Sequence, residues 1–382
     1  MVGKARSWDA AGLATVGCLG LLGVRRRLET SCPPSSPRVP RRLEGTRCIV
    51  TGASSGMGAE VAWAFVEAGA DEVVMACRSL ERCHAQRAQL FRRCAQEAMA
   101  GEASGRAAQQ RAARRRQCSE MQRKMVCKVL DLTSAKSIQS FVKDSEKTML
   151  DRPLILVNNA GVMTDEGHVV SSHSTVDLQL RTNHYGHFML TQMLLPNMDP
   201  ASIVVVMASR AHRQGSLSLE NAGRVPDVEQ DAGNQKREKL PGGPVFRLLN
   251  GLGLGWYARY ARSKLCNVLF AAELRRQYPD GPLSVAISPG LVNTGIFRAV
   301  PEPLGHVLRW FADKSFQTPQ EGARHILAAI SAAQEAHGER SEKDFPLYWH
   351  CSKPEVPSKA AMDQELAAAL WRSSEVAVKK VL

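Results

Sequence analysis

The stretch "RCIVTGASSGMG", residues 47–58, runs from a short apolar segment through a glycine-rich turn into a predicted helix at about 59–68. Gly52, Gly56 and Gly58 permit a tight turn and let the backbone come close to a pyrophosphate. The helix that follows offers N–H groups and the positive end of its dipole. A glycine pattern alone is weak evidence, but its place between a strand and a helix predicts nucleotide binding. The other contacts predicted in this turn are Ser54, Ser55 and Met57.

Continuous runs of Val, Ile and Leu, separated by helical stretches, follow this turn along the chain. Such runs are typical of strands that are buried on both faces of a parallel sheet. The predicted fold class is therefore α/β: a doubly wound parallel sheet (Rossmann fold) with helices on both faces and a helical C-terminal extension on the substrate side. The predicted strands are 47–50, 72–78, 125–132, 153–161, 202–209 and 283–290.

One domain is predicted over residues 46–382, with two inserted segments. The insert near 81–124 is rich in Arg, Gln and Ala, and we expect a solvated basic extension of the second helix. Its stretch 106–117 could be helical but has no core face. Binding to an anionic surface is the alternative interpretation. The insert near 213–250 is polar and rich in Gly and Pro, and its position in the chain predicts that it lies beside an active site.

The chain is basic, but its charge is localised. Its 382 residues carry a formal net charge of +13, of which residues 1–47 contribute +6 and residues 81–128 contribute +8, so the remainder is almost neutral. The charge therefore says little about the partners of the core. No nucleic-acid partner is expected, because the Arg-rich run 106–117 carries no aromatic side chains for base stacking.

Residues 1–45 form an apolar leader and a Pro/Ser-rich linker. The apolar run 10–24 is shorter than the roughly 17–25 residues that span a bilayer, and basic residues lie on both sides of it. Three interpretations stay open: a membrane anchor of the endoplasmic-reticulum type, the core of a signal peptide, or a transit peptide for a plastid or another organelle. Membrane association through this leader is one expectation.

The ten cysteines are scattered, and none form CxxC pairs or alternate with His at the spacing of a zinc site. No metal site is therefore expected. In a chain of this length, such cysteines are expected to be buried thiols in a reducing compartment.

The residue after the second predicted strand indicates which dinucleotide binds. A site for NAD carries an acidic side chain there, to bond the ribose 2′-hydroxyl. Here Arg78 occupies that position, and a guanidinium suits a 2′-phosphate instead. The predicted cofactor is therefore NADP(H).

Polar and small residues follow three further predicted strands. Asp131 and Leu132 end the third strand, "NNAG" (158–161) ends the fourth, and Ser209 ends the fifth. Ligands of an open parallel sheet bind outside the carboxyl ends of its strands. The shared location therefore predicts one site, with Asn159, Ala160 and Gly161 among its cofactor contacts.

The segment "YARYARSK", residues 257–264, contains the candidate acid/base. Tyr260 and Lys264 are four residues apart and share one face of a helix, whereas Tyr257 would need a lysine at Ala261. The ordinary pKa of tyrosine, about 10, is high for a base, and a nearby ammonium is expected to lower it. Tyr260 would then exchange a proton with a substrate oxygen that Ser209 holds.

Together these motifs resemble the short-chain dehydrogenase/reductase family, and "TNHYGHF", "SRAH", "SKLCNVLF" and "PGLVNTGIFR" are similar to its retinol-dehydrogenase-like and protochlorophyllide-reductase-like branch. The resemblance implies a catalytic tetrad of Asn183, Ser209, Tyr260 and Lys264. Lys264 would also bond the nicotinamide ribose, and Asn183 would support a proton-relay water. The resemblance further implies that the segment after the sixth strand wraps the nicotinamide, with contacts from Pro289, Gly290, Val292 and Thr294.

The sequence therefore predicts an NADP(H)-dependent oxidoreductase that transfers hydride between nicotinamide and a carbonyl or alcohol of an apolar substrate, such as a retinoid, a lipid aldehyde or a steroid. One alternative is an enzyme resembling protochlorophyllide reductase, although Leu291 stands where those reductases carry a cysteine. The other is a non-catalytic protein that senses NADP(H) and acts as a scaffold.

Overall fold

The computed structural model describes residues 32, 43–99, 105–146, 152–164, 169–171, 174–219, 255–295, 310, 313, 316–338 and 344–381. Its strands alternate with helices along most of the chain. The strands are β1 (Arg47–Thr51), β2 (Glu72–Cys77), β3 (Met125–Val129), β4 (Leu154–Asn158), β5 (Val169–Ser171), β6 (Ser174–Val176), β7 (Ile203–Met207), β8 (Leu283–Ser288), β9 (Tyr348–His350) and β10 (Lys353–Pro354).

Eight of these strands form one sheet in the order β3-β2-β1-β4-β7-β8-β9-β10. Every neighbouring pair is parallel except β9 and β10, which are antiparallel. The order reverses direction beside β1, between β2 and β4, so the carboxyl ends of these strands flank a crevice. The predicted doubly wound sheet is confirmed, and all six predicted strands are present.

Helices cover both faces of the sheet. Successive side chains of a strand point to opposite faces, so Ile49 joins one core while Cys48 and Val50 join the other. The helices are α1 (Gly56–Glu67), α2 (Leu80–Met99), α3 (Gly105–Lys124), α4 (Ala135–Glu146), α5 (Gly186–Leu194), α6 (Gly255–Gln277), α7 (Pro319–Gly338) and α8 (Gln364–Val381). Helices α1 and α7 pack on one face, and α4, α5, α6 and α8 pack on the other.

The basic insert forms helices α2 and α3, and the expectation that it is only a solvated extension is wrong for part of it. Residues 109–117, within the stretch expected to have no core face, contain no buried side chain. Cys83 and Leu90 of α2 and Met121 of α3 are buried against the core beside α1. These few apolar residues are enough to hold the insert on the body because two disulfides also hold it. They join Cys94 to Cys118 and Cys83 to Cys127. The insert is therefore attached to the sheet both by packing and covalently.

The prediction that the cysteines are buried thiols is also wrong for six of them. A third disulfide joins Cys32 to Cys351. Sequence spacing gave no sign of these pairs, because partners 24 to 319 residues apart meet only through the fold. Among the described residues, the buried free thiols are Cys48, Cys77 and Cys266.

The C-terminal part begins with a capping box at the start of α7. Thr318 N donates to Glu321 Oε2 at 2.8 Å, and Glu321 N donates to Thr318 Oγ1 at 3.3 Å. Helix α8 then packs across α5 and α6, where Trp371 contacts Phe188 and Phe270.

None of the helices described here has both the length and the apolar character needed to cross a membrane. The apolar leader 10–24 and residues 220–250 of the second insert lie outside the described residues.

Candidate functional site

A cleft of about 880 Å³ lies at the carboxyl ends of the parallel strands. All the residues predicted to contact a cofactor line this cleft, and so do three of the four predicted catalytic residues, Ser209, Tyr260 and Lys264. The predicted cofactor contacts in this lining are Gly52, Ser54, Ser55, Gly56, Met57, Gly58, Arg78, Asp131, Leu132, Asn159, Ala160, Gly161, Pro289, Gly290, Val292 and Thr294.

The glycine-rich turn brings two strand ends into contact. Gly52 has a φ of +67°, and a Cβ atom at this position would lie 2.9 Å from the Cα of Ala160. Any side chain here would therefore clash with the "NNAG" segment. Ser55, at the N-cap of α1, makes no side-chain capping bond, and the first turn of α1 contains no acidic residue. The helix N-terminus is thus suited to an anionic group.

Thr51, at the end of β1, fixes the backbone of the same segment. Its Oγ1 accepts the N–H groups of Asn159 and Ala160, each at 2.9 Å. Asn159 Nδ2 in turn donates to the carbonyl oxygen of Thr51 at 2.7 Å. These bonds give the wall of the cleft a fixed position relative to the glycine-rich turn.

Two arginines line the end of the cleft beside β2. Arg78 follows the strand, and Arg82 lies in the first turn of α2, where its backbone N–H donates to Ser79 Oγ at 3.2 Å. Neither side chain forms an ion pair within the described part of the chain. Sequence reasoning missed Arg82, although its spacing of four residues from Arg78 at the start of a helix was a usable signal.

Tyr260 and Ser209 both line the cleft, where the Ser209 side chain is placed to hydrogen-bond with the Tyr260 hydroxyl. Tyr260 lies on α6 and Ser209 follows β7, so a helix and a strand end position the pair. Lys264 lies one turn further along α6 with its Nζ 5.6 Å from the centre of the Tyr260 ring. That ammonium donates to the carbonyl oxygen of Met207 at 2.9 Å.

The expectation that Lys264 lowers the pKa of Tyr260 is wrong for the protein by itself. Burial raises the pKa of Tyr260, and the hydrogen bond with Ser209 offsets this only in part. Burial also lowers the pKa of Lys264 to about 8. The reason is geometric: the ammonium lies over the ring and is bound to Met207.

Asn183 does not line the cleft but lies directly behind its wall. It belongs to a π-helical turn, Arg181–Tyr185, that leads into α5. Its Oδ1 accepts from Val162 N at 2.8 Å, and its Nδ2 donates to Val162 O at 3.0 Å and to Ser263 Oγ at 3.0 Å. The Asn183 amide thereby holds the segment after "NNAG" against helix α6.

The rest of the lining is mostly apolar. Met163, Trp256 and Tyr257 form a small cluster with Tyr260, and Leu291 and Phe316 also line the cleft. The ring of Tyr257 lies beside that of Tyr260, and its hydroxyl donates to Gln214 Oε1 at 2.9 Å. Trp256 was not predicted, because a tryptophan on a helix more often packs in the core.

One group of possible metal ligands occurs in the described residues. Cys32, His325 and Cys351 place ligand atoms within 4.8 Å of one another. However, the two sulfur atoms are bonded to each other, and both nitrogens of His325 are hydrogen-bonded, to Ser352 and Gln317. This arrangement leaves no ligand atom available for an ion.

A family model described as "short chain dehydrogenase" matches residues 88–220. This span includes Asn183 and Ser209, whereas the glycine-rich turn precedes it and Tyr260 follows it.

Curated relatives match most of the chain. "Dehydrogenase/reductase SDR family member 13" of Bos taurus is 33% identical over 341 residues, which cover 87% of this chain and 73% of that protein. "Retinol dehydrogenase 14" of Homo sapiens is 27% identical over 387 residues, covering 97% of each chain. "Protochlorophyllide reductase B, chloroplastic" of Hordeum vulgare is 27% identical over 363 residues, covering 90% of this chain and 81% of that protein.

Proposed function

The chain belongs to the short-chain dehydrogenase/reductase family, and from this premise we propose that it is an NADP(H)-dependent oxidoreductase acting on a carbonyl or alcohol group of an apolar substrate. The observation that carries the proposal is the meeting of Tyr260, Ser209 and Lys264 in the cleft that the glycine-rich turn borders.

The residues around the cleft fit a dinucleotide. The close contact of Gly52 with Ala160 and the uncapped N-terminus of α1 suit a pyrophosphate. Pro289, Gly290, Val292 and Thr294 would hold the nicotinamide end. When bound, the nicotinamide supplies or accepts hydride.

The side chains of this protein would supply the proton and hold the substrate. Because burial raises the pKa of Tyr260, its hydroxyl carries a proton at neutral pH and can donate it to a substrate oxygen. Ser209, which lines the cleft beside Tyr260, would orient the same oxygen. The Lys264 ammonium would stabilise the phenolate that remains and bond the ribose, while Asn183 supports the relay that returns the proton.

Arg78 and Arg82 support the choice of NADP(H). Both line the cleft beside β2, and Asp131 is the only acidic side chain in the described lining. The Asp131 carboxylate accepts from the backbone and hydroxyl of Thr133, at 2.9 and 2.7 Å. A 2′-phosphate would therefore meet two guanidinium groups without ion-pair partners in the described chain.

The apolar lining supports the class of substrate. Met163, Trp256, Leu291 and Phe316 offer hydrophobic surface near the catalytic pair, with Tyr257 and Gln214 as a polar exception. Such a surface favours an extended apolar molecule with one reactive oxygen.

The test is a turnover assay of purified protein with NADPH or NADH and with retinal, a long-chain aldehyde or a steroid ketone. We expect wild-type protein to turn over at least one of these substrates and Tyr260→Phe to lose at least about 100-fold in kcat, the range of general acid catalysis. Tyr257→Phe is the matched control. Tyr257 lies three residues before Tyr260, and the variant removes a hydroxyl that is bonded to Gln214. Undiminished turnover by Tyr260→Phe would exclude Tyr260 as the acid/base of the reaction.

The same assay separates the two alternatives. Illumination in the presence of protochlorophyllide tests the activity named in the barley relative. NADPH binding without turnover of any substrate would favour a sensor or scaffold.

A further inference from the structure

His187, on helix α5, is a buried histidine that uses both ring nitrogens. Its Nε2 lies 2.8 Å from Thr51 Oγ1, and its Nδ1 lies 3.1 Å from the main-chain oxygen of Asn183. The residue is 1% exposed, so both hydrogen bonds are shielded from water. No motif considered in the sequence singled out this side chain.

The partners of His187 determine its tautomer. The Asn183 carbonyl can only accept, so Nδ1 carries the proton. Thr51 Oγ1 already accepts two N–H groups, from Asn159 and Ala160, and has one hydrogen to donate. Nε2 at 2.8 Å is a nearer acceptor than the carbonyl of Val157 at 3.4 Å. The ring is therefore neutral, in agreement with a pKa that burial lowers to about 4.

Each bond ends on a part of the proposed active site. Through Thr51, the ring reaches the backbone of Asn159 and Ala160, which forms the wall of the cleft. Through the carbonyl, it reaches the π-helical turn that carries Asn183. A Cβ atom on Gly161 would lie 3.5 Å from Asn183 Oδ1 and 3.6 Å from Lys264 Nζ, so these groups adjoin the same wall.

We infer that His187 is a positioning residue: one neutral ring fixes the Asn183 carbonyl relative to the cofactor wall and so keeps the proton relay aligned with Lys264. The inference rests on the proposed function, because a relay matters only if Tyr260 exchanges a proton. Asn183 lies in a single π-helical turn, a feature that occurs frequently at functional sites.

A second buried histidine provides a matched comparison. His184 is also 1% exposed, and its Nε2 lies 2.9 Å from Ser374 Oγ of helix α8. Its ring packs near Phe188 and Phe270. His184 therefore joins the π-helical turn to helix α8, whereas His187 joins that turn to Thr51 and the cofactor wall.

The experiment compares His187→Leu with His184→Leu in the full-length protein. We expect His187→Leu to lower kcat about 10- to 100-fold, the cost of a misplacement of about 1 Å, with the KM for substrate changing less than about 3-fold. The solvent isotope effect on kcat should rise, because proton transfer becomes slower than hydride transfer. His184→Leu should lower the melting temperature and leave kcat and the isotope effect unchanged within about 2-fold.

Two conservative variants separate the two bonds of the ring. The amide of His187→Asn can reproduce the Nδ1 donor to the carbonyl, and the longer amide of His187→Gln reaches toward Thr51 instead. We expect His187→Asn to recover most of kcat and His187→Gln to recover little. These variants keep a polar group in the pocket, so they decide the question if His187→Leu does not fold.

Several results would overturn the inference: a kcat of folded His187→Leu within about 2-fold of wild type, equal loss in the His184 variant, or equal kcat of the Asn and Gln variants. If wild-type protein turns over no substrate, the proposed function fails instead. The affinity for NADPH then tests the hydrogen bond between His187 and Thr51. We expect about 10-fold weaker binding by His187→Leu than by His184→Leu, and equal affinities would refute the role of the ring.

Discussion

Tyr260 and Lys264 are adjacent buried groups whose pKa values shift in opposite directions. Burial disfavours the charged form of each, so the pKa of Tyr260 rises while that of Lys264 falls to about 8. Near neutral pH the protein therefore holds a neutral phenol beside a charged ammonium. This state can donate a proton, as the proposed reduction of a carbonyl requires.

The pKa of Lys264 leads to a prediction about pH. Below about pH 8 the lysine is protonated, and above it the charge that stabilises a phenolate is lost. We expect kcat for carbonyl reduction to be constant on the acidic side and to fall as the pH rises through about 8. A rate profile from pH 6.5 to 9.5, measured with saturating cofactor, checks this.

Lys264→Arg serves as the control for that profile, because a guanidinium keeps its charge throughout this range. Any activity that this variant retains should lack the alkaline fall near pH 8. The interpretation fails if both proteins show the same fall, or if the wild-type rate does not depend on pH.

Arg78 and Arg82 lead to a prediction about cofactor choice. Charge-assisted hydrogen bonds contribute about 1.5–3 kcal/mol each, so the double variant Arg78→Ala/Arg82→Ala should lose about 100-fold or more in kcat/KM with NADPH and little with NADH. Arg152→Ala is the control, because this exposed arginine pairs with Asp71 and does not line the cleft. Equal losses with both cofactors would show that the arginines do not read the 2′-phosphate.

At the scale of elements, helix α3 needs its one disulfide to stay in place. Among its described side chains only Cys118 and Met121 are buried, and arginines at 114, 115 and 116 are exposed. A helix that is polar on nearly every side has little to hold it against the body. The bond between Cys94 and Cys118, 24 residues apart, replaces the missing apolar contact. In the chain-entropy treatment, a disulfide that closes a loop of this length raises the free energy of unfolding by about 3.5 kcal/mol.

Removing that bond should release α3 without unfolding the sheet. We expect Cys94→Ser/Cys118→Ser to be cut by trypsin at the arginines of α3 at least about 10-fold faster than wild type, while the remaining fragments stay folded. Limited proteolysis followed by mass spectrometry measures this. The control is Cys266→Ser, which alters a buried free thiol on α6. Equal cleavage rates in the oxidised wild type and the double variant would mean that packing alone holds the helix.

The elements differ in how far the sequence predicts them. Runs such as "ILVN" and "IVVVM" show their buried strands directly, and Thr318, Pro319 and Glu321 mark the start of α7. Strands β9 and β10 have only three and two residues, too few to show a period, and they exist because β8 offers a partner. The disulfide partners and the role of His187 depend on distances across the fold. Local patterns carry no such information.

At the scale of the molecule, the sheet separates two cores that do not share side chains. Phe65 of α1 belongs to one core and Phe141 of α4 to the other, and both are buried. Sheets pack against their neighbours at about 10 Å on each side, so these rings have no common contacts. Each core therefore contributes to stability through its own packing.

This separation predicts additive losses of stability. Phe65→Ala and Phe141→Ala should each lower the free energy of unfolding by about 3–5 kcal/mol, and the double variant should lose their sum to within about 0.5 kcal/mol. Equilibrium denaturation in urea measures all three proteins. A double-variant loss that departs from the sum by more than about 1 kcal/mol would show that the two cores are coupled through the sheet.

The disulfide between Cys83 and Cys127 ties helix α2 to β3, the strand at one border of the sheet. A border strand carries unpaired N–H and C=O groups that can recruit the strand of another molecule. Here a covalent link keeps a helix beside that strand, and Lys128 adds a charge to it. The opposite border is the two-residue strand Lys353–Pro354, whose proline has no N–H to donate. Both borders thus discourage growth of the sheet from one molecule to the next, which protects a large parallel sheet from self-association into fibrils.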